Sequence, residues 1–535
     1  MSAARSLLRA LPKHAAARRA VVAPRALHPV SAPVVAVRHA STIPPRAEQF
    51  TKVTAEHVKA LRGLLGSPSS LISTLDGSAT VDELVTYNDD WMNKYHGKGQ
   101  VVIRPKSTEE VSRVVKYCYD NNIAMVPQGG NTGLVGGGVP VHDEVVISTA
   151  GLNQVRSFDP VSGTLVADAG VILEAADNYL AERGFIFPLD LGAKGSCNIG
   201  GNVATNAGGL RLLRFGSLHG TVLGLEVVLP DGTIWNGLKT LRKDNTGLDI
   251  KQLFIGSEGS LGVITAVSIL CPRRPKAMNV AVFSVESYEA VQQVFAEAKS
   301  HLGEILSAFE FWDAQAYDVV RHHKAEVGEE VRKVFETEGP FYCLIETGGS
   351  NGDHDEEKLG NLLEDLVTEG KVLDGVLAQD STQFAGLWTL REGIPEACGK
   401  TGSVYKYDVS IPVKDMYSVV EKVRLRLREN GLLTGDGQAE GPIKACVGYG
   451  HMGDGNIHLN VVAPKYTDEI EAAIEPYVYE VVSELRGSIS AEHCLGQMKA
   501  GAVHYSQDKN SLDQMRRIRK LYDPKGLMNP YKFIL

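Results

Sequence analysis

No aspartate or glutamate occurs in the first 47 residues, although the chain of 535 carries 64 acidic side chains against 55 lysines and arginines. In that stretch Arg5, Arg9, Lys13, Arg18, Arg19, Arg25, Arg38 and Arg46 are positive, alanine is abundant, and Leu7, Leu8 and Leu11 recur. A segment with no acid and no long apolar core is expected to be a mitochondrial transit peptide, not a secretory signal. The alternative left by composition is a basic tail that contacts nucleic acid. Without the segment the formal charge moves from −9 to about −17 (−9 minus eight), which suits no polyanionic partner and speaks against nucleic acid. Paired cysteines are also lacking. Cys118, Cys197, Cys271, Cys343, Cys398, Cys446 and Cys494 are scattered, odd in number and form no Cys-x-x-Cys, so reduced thiols are expected. No apolar run reaches the roughly 18 residues that cross a bilayer, which predicts no transmembrane anchor.

What is present is an ordinary globular body, 43% hydrophobic and 22% charged, long enough for two or three cores. Thr51 to Tyr87 reads as a helical prelude. Beyond it, short β-rich runs such as VVIRP, AMVP, EVVIS and TLVADAG alternate with helical stretches. Ser107 and Glu110 spell a capping box, and Val171 to Gly184 reads as a helix. CPRRP, Cys271 to Pro275, marks a boundary through its two prolines and basic pair. After it, NVAVFSVES, a helix from Tyr288 to Ser300 and GEILSAFEF predict a second unit with a mostly antiparallel sheet. The acidic span Asp353 to Glu369 reads as an exposed helix.

Glycine is unusually plentiful at 55 residues, and it clusters. GGNTGLVGGG (Gly129 to Gly138), GAKGSCNIGGNVATNAGG (Gly192 to Gly209) and GSEGSLG (Gly256 to Gly262) bring backbone N–H groups close to a phosphate with no Cβ in the way. None of the three fits Gly-x-Gly-x-x-Gly. Interleaved with Asn131, Thr132, Asn198, Asn202, Thr205, Asn206 and Ser257, they suit an elongated dinucleotide such as FAD.

One stretch does spell that fingerprint: GYGHMGDGNIHLN, with Gly448, Gly450 and Gly453. The fingerprint works only where a helix follows, so that its N-terminus faces the phosphates. Here a turn signal, Asp454-Gly455, precedes the alternating run IHLNVV, which predicts a hairpin. The hairpin puts His451 and His458 on adjacent strands. Downstream, SAEHCLG offers Glu492 and His493. Two imidazoles and one carboxylate suit zinc with positions open for substrate, whereas the bland reading leaves two ordinary core histidines.

PQGGNTGLVGGGVP, LGAKGSCNIGGNVATNAGGLR, LFIGSEGSLGVIT and the C-terminal motifs resemble the D-2-hydroxyglutarate and D-lactate dehydrogenase branch of the vanillyl-alcohol-oxidase, or PCMH-type, flavoproteins (the FAD-binding oxidoreductase/transferase type 4 family). The resemblance runs from about Asp89 to Leu535. It implies an α+β fold: a transit peptide over 1–47, a PCMH-type FAD-binding domain over 96–275, and a substrate- and metal-binding C-terminal FAD-oxidase domain over 276–535, with an antiparallel sheet and a C-terminal helical segment. It assigns FAD contacts to Pro127, Gly129, Gly130, Asn131, Thr132, Gly133, Gly136 and Gly137 in the first loop. In the second it assigns Gly195, Ser196, Gly200, Gly201, Asn202, Thr205, Asn206, Gly208 and Gly209. Glu258, Gly259, Gly262, Ile264 and, through NPYK at the C-terminus, Asn529 complete that set. Gly129 to Gly138 contains no histidine, so noncovalent FAD is expected.

The resemblance further implies that His451, His458 and Glu492 bind zinc, that His493 is the general base, and that Arg391, Lys406 and Asn460 bind substrate. Pro395 stands where some members carry a hydroxyl, and Cys494 replaces the glycine of the familiar Glu-His-Gly. Tyr405 and Tyr407 are expected to pack. The implied reaction is oxidation of D-2-hydroxyglutarate to 2-oxoglutarate in the mitochondrial matrix, with electron-transfer flavoprotein as acceptor. Alternatives are a D-lactate dehydrogenase, a transhydrogenase that passes electrons to an oxoacid, and a silent flavin-binding protein with a structural zinc clip.

Overall fold

Short apolar runs punctuated by glycine give the first half of the chain two small sheets. A computed structural model describes residues 44–326, 334–434 and 441–535; the basic leader expected over 1–47 lies, as far as residue 43, outside the described residues. β1 (Leu71–Ser73), β2 (Val101–Ile103), β3 (Met125–Gln128) and β4 (Val145–Ser148) form a four-stranded sheet in the order β1-β2-β4-β3. Its β2–β4 and β3–β4 pairs are parallel. Both strands of such a pair are covered on each face, and β2 and β4 are buried throughout. β5 (Val155–Asp159), β6 (Thr164–Asp168), β7 (Val222–Val228), β8 (Ile234–Gly237) and β9 (Val263–Leu270) form an antiparallel sheet in the order β5-β6-β9-β7-β8.

Two local expectations are corrected. The prelude is not all helix: between the helices Ala55–Gly63 and Val81–Asn88 lies β1, three residues too short to show an alternating pattern. At the helix Thr108–Asp120 the Ser107 hydroxyl accepts the Glu110 N–H, but the return bond of a capping box is absent. Glu110 instead accepts N–H groups from Gly66 and Lys106, each at 2.7 Å.

The second half carries a seven-stranded antiparallel sheet, β13-β10-β12-β11-β15-β16-β14. Its strands are β10 (Ala277–Val285), β11 (Leu306–Asp313), β12 (Phe341–Gly349), β13 (Asp374–Leu377), β14 (Ser403–Ser410), β15 (Ala445–His451) and β16 (Asn456–Ala463). Side chains alternate between its faces. On one face Tyr405, Tyr407, Cys446, Leu459 and Val461 pack with the helices Tyr288–Leu302, Gly352–Thr368 and Ser418–Glu429. The two tyrosines are core residues, as expected. The acidic helix is not simply exposed, because Leu359, Leu362 and Leu366 bury one side of it. On the opposite face Val404, Ala445, Val447, Tyr449 and Val462 pack under the helices Ala314–Glu326, Ser381–Glu392 and Ile394–Thr401.

GYGHMGDGNIHLN is a hairpin. β15 and β16 pair from Ala445↔Val462 to His451↔Asn456, and no helix follows Gly453. Packing accounts for its glycines: a Cβ on Gly450 would meet the Asn456 carbonyl at 2.2 Å, and one on Gly448 would meet Val420 at 2.7 Å.

Candidate active site

The face that packs on Val404, Ala445 and Val462 changes character along its strands. Toward the hairpin turn, the same side-chain rows carry Glu310 on β11, His451 on β15, His458 and Asn460 on β16, and Lys406 and Asp408 on β14. The registers Glu310↔His451, Asp408↔His458 and Lys406↔Asn460 set these groups side by side. A polar row on the pleat continuing an apolar one forms a rigid platform.

His451 Nε2 and His458 Nε2 are 3.4 Å apart, close to the about 3.3 Å separating two imidazole nitrogens on one tetrahedral zinc ion. Glu492 Oε1 lies 4.0 Å from His458 Nε2, and the three donor atoms fall within 4.8 Å of one another. His451 Nδ1 faces Glu310 Oε1 at 2.8 Å, and His458 Nδ1 is 3.6 Å from Asp408 Oδ1. Outer carboxylates of this kind orient histidine ligands and leave Nε2 for the ion. Electrostatics agree. Burial alone would push the His451 imidazole down, but Glu310 outweighs it and holds it at about 9. Burial, with His451 and Arg391 nearby, pushes His458 well down despite Asp408. Burial and mutual repulsion thus work against charging both imidazoles, while the Glu310 and Asp408 carboxylates beside them favour a cation at the site. The donor set fits zinc.

Asp408, Glu492 and His493 also cluster, but Asp408 is already occupied. Its Oδ2 accepts N–H groups of Ala491, Glu492 and His493 at 3.2, 3.0 and 3.0 Å, and Oδ1 accepts the Asn456 amide at 2.8 Å. Burial alone would raise its carboxyl; His493, Lys499 and His458 hold it well below the usual range. It orients its neighbours.

The three glycine loops meet around a cavity of about 170 Å³. Pro127, Gly129, Gly130, Asn131, Thr132, Gly133, Gly137, Gly200, Gly201, Asn202, Thr205, Glu258, Gly259, Gly262 and Ile264 line it. So do His493 and Cys494, which brings the candidate base to the cavity wall. Asn202 Oδ1 is buried there with no hydrogen-bond partner, and a Cβ at Gly133 would meet no atom within 4 Å. A glycine-walled hollow with an orphaned acceptor offers a dinucleotide close backbone approach and a partner for one of its N–H or O–H groups. Gly136, Gly195, Ser196, Asn206, Gly208, Gly209 and Asn529 are not on its lining. Gly208 abuts Glu492, where a Cβ would come within 2.8 Å of Oε2, and the Asn529 amide braces the carbonyls of Gly137 and Glu258 from behind.

Arg391, near the end of the helix Ser381–Glu392, is buried. It lies 2.9 Å from Glu310 Oε2 and over the Tyr449 ring, and its Nε has no hydrogen-bond partner. Asn460 donates to Tyr449 Oη at 3.0 Å. Lys406 Nζ has Met92 Sδ at 4.0 Å, and burial lowers its pKa. Pro395 occupies the first turn of the helix Ile394–Thr401, where a missing N–H costs nothing.

Two family models match the chain: the FAD binding domain over residues 99–237, and the C-terminal domain of FAD linked oxidases over residues 274–533. A Danio rerio protein named mitochondrial D-2-hydroxyglutarate dehydrogenase is 51% identical over 92% of this chain and 87% of its own length. A Schizosaccharomyces pombe protein, provisionally named a mitochondrial D-lactate dehydrogenase, is 52% identical over 91% and 92%. A Saccharomyces cerevisiae D-2-hydroxyglutarate–pyruvate transhydrogenase is 47% identical over 91% and 96%.

The chain belongs to the FAD-linked oxidase family.

It is an FAD-dependent dehydrogenase. Among solved structures, p-cresol methylhydroxylase aligns with a TM-score of 0.67 at 15% identity, covering 89% of this chain and 96% of that one. That shares the PCMH-type fold and the α+β class. No described helix is long and apolar enough to cross a membrane.

Sequence reasoning missed Asp408 and Glu310. Each lies in a stretch the sequence shows, Asp408 two residues beyond Lys406 and Glu310 within GEILSAFEF, but only the sheet register puts them beside the histidines. For Cys494 the structure supplies the reason behind the motif's glycine: its φ is +70°, a left-handed conformation that a side chain adopts at a cost of about 1–2 kcal/mol. The thiol lies 3.0 Å from the Thr205 carbonyl, and burial pushes its pKa well up. Cys494→Ala keeps the strain and loses the thiol contact, whereas Cys494→Gly relieves the strain. The glycine variant is therefore expected to be the more stable of the two by about 1 kcal/mol, read from paired denaturant titrations.

Proposed function

We propose that this FAD-linked oxidase converts D-2-hydroxyglutarate to 2-oxoglutarate in the mitochondrial matrix, using noncovalent FAD and zinc. The observation that carries the reading is the convergence of His451, His458 and Glu492 beside His493, itself on the wall of the glycine-lined cavity. The names of the Danio rerio and Saccharomyces cerevisiae relatives support the substrate, and mitochondrial names among the relatives support the organelle.

FAD, when bound along the three loops, supplies the acceptor for the hydrogen that leaves C2 with its electron pair. His451, His458 and Glu492 would hold zinc, which would supply a Lewis acid for the hydroxyl and adjacent carboxylate. His493 takes the hydroxyl proton; Asp408 Oδ2 lies 3.6 Å from its Nδ1 and Glu492 Oε1 3.7 Å from its Nε2, so carboxylates flank the ring on both sides. Lys406 and Arg391 hold the distal carboxylate, with Asn460 beside them. Electron-transfer flavoprotein is the proposed acceptor of the electrons. Pro395, which offers no hydroxyl, and the Schizosaccharomyces pombe relative's name favour D-lactate as the second reading.

Anaerobic D-2-hydroxyglutarate is expected to bleach the oxidised flavin of the holoenzyme, and persistent yellow colour would sink the proposal. Dialysis against a chelator is expected to remove about one zinc per chain and abolish bleaching, with zinc restoring it. Full activity in metal-free protein would instead make the histidine hairpin a structural feature.

A further inference from the structure

The segment that carries His493 has little support of its own. Residues 490–496 belong to no helix or strand, yet five of the six consecutive N–H groups from Ala491 to Gly496 end on two carboxylates. Ala491, Glu492 and His493 donate to Asp408 Oδ2. Leu495 donates to Glu258 Oε1 at 2.9 Å and Gly496 to Glu258 Oε2 at 2.8 Å. Ser490 Oγ closes the segment on the Cys494 carbonyl at 2.7 Å.

The two carboxylates come from different halves of the protein. Asp408 projects from β14, on the sheet that bears the candidate zinc ligands. Glu258 sits in the third glycine loop, on the wall of the cavity. Its backbone is itself tied down: its N–H donates to Ala204 O at 2.8 Å and its carbonyl accepts the Asn529 amide at 2.7 Å. At φ +51° it holds a left-handed conformation that costs a side chain energy. Its carboxylate is spent on the Leu495 and Gly496 amides. Both acids are buried, so their carboxylates rest on these N–H groups and not on bulk water.

We infer that Asp408 and Glu258 are positioning residues that sling the His493 segment between the sheet and the cavity, fixing the imidazole relative to both. Asp408 sets the end next to Glu492, and Glu258 sets the end next to the cavity wall. Removing the Glu258 anchor lets the imidazole drift relative to C2 while the groups that bind the hydroxyacid stay in place; removing Asp408 also frees His458 and Glu492. The inference rests on the reading of His493 as the base, but the sling itself can be measured without turnover.

Glu258→Gln is the decisive variant, because its amide turns an N–H donor toward one of two N–H groups. In the FAD-loaded holoenzyme, compared at equal flavin content, amide hydrogen exchange at 494–496 is expected to accelerate. The limiting rate of anaerobic flavin reduction by D-2-hydroxyglutarate should fall about 10²-fold, as misplacement by about an ångström does. The apparent affinity for the hydroxyacid should change by no more than about threefold. Should Glu258→Gln not fold, Glu258→Asp keeps the charge but shortens the reach, and the same split is expected. Unchanged exchange and rate overturn the inference; so does loss of FAD with exchange unaltered, which would make Glu258 a cofactor contact. If wild-type flavin is not reduced at all, the functional reading fails, and exchange alone decides the sling.

Discussion

Replacing His493 by alanine is expected to slow anaerobic flavin reduction by D-2-hydroxyglutarate by about 10²–10⁴-fold, the range for loss of a positioned general base. FAD and zinc should remain bound, since no glycine-loop contact and no candidate ligand is removed. The neighbouring carboxylates make the prediction specific. Asp408 and Glu492 both have their oxygens on N–H groups or at the histidine cluster, so neither replaces the missing imidazole as a mobile base. Asp454, in the hairpin turn, is the competitor: burial pushes its carboxyl up to about 6. Parallel stopped-flow traces of His493→Ala and Asp454→Asn separate the two. A deep loss in the asparagine variant, with a loss under tenfold in the alanine one, would reassign the base.

Lys406→Met is expected to raise the Michaelis constant for D-2-hydroxyglutarate by about 10- to 150-fold, the equivalent of about 1.5–3 kcal/mol for one hydrogen bond to a charged group. It should leave the constant for D-lactate within about twofold, because D-lactate has no distal carboxylate. Arg391 does not offer so clean a test. It lies 2.9 Å from Glu310, which also faces His451. Removing the guanidinium takes one of two partners from a buried carboxylate and leaves it wholly on His451, which disturbs the candidate zinc site for any substrate. Arg391→Ala is therefore expected to impair both hydroxyacids, and Lys406→Met one. Equal effects of Lys406→Met on both substrates would favour the D-lactate reading.

Much of the site was legible because its chemistry is written in short words. The glycine clusters name themselves, since close approach to a phosphate excludes a Cβ. The hairpin reading of Gly448 to Asn460 followed from Asp454-Gly455 and the alternation after it, which a helix-capped phosphate turn lacks. The Glu492-His493 pair stood beside a glycine position whose left-handed backbone explains the motif and marks Cys494 as the departure. The three-residue strand β1 was not legible, because three residues carry no period. Nor was the fate of Glu110, whose carboxylate leaves its own helix to bind Gly66 and Lys106.

By itself the sequence determined the alternating faces of the strands, the glycine-rich loops and the identity of the groups able to ligate an ion or take a proton. Those follow from local rules of period, steric bulk and side-chain chemistry. Only the tertiary structure decided which groups meet. Sheet register brought Glu310 to His451 and Asp408 to His458 across 141 and 50 residues of chain, and two buried carboxylates fixed a segment that has no secondary structure. Such pairings are invisible in a linear pattern because they depend on which strands become neighbours.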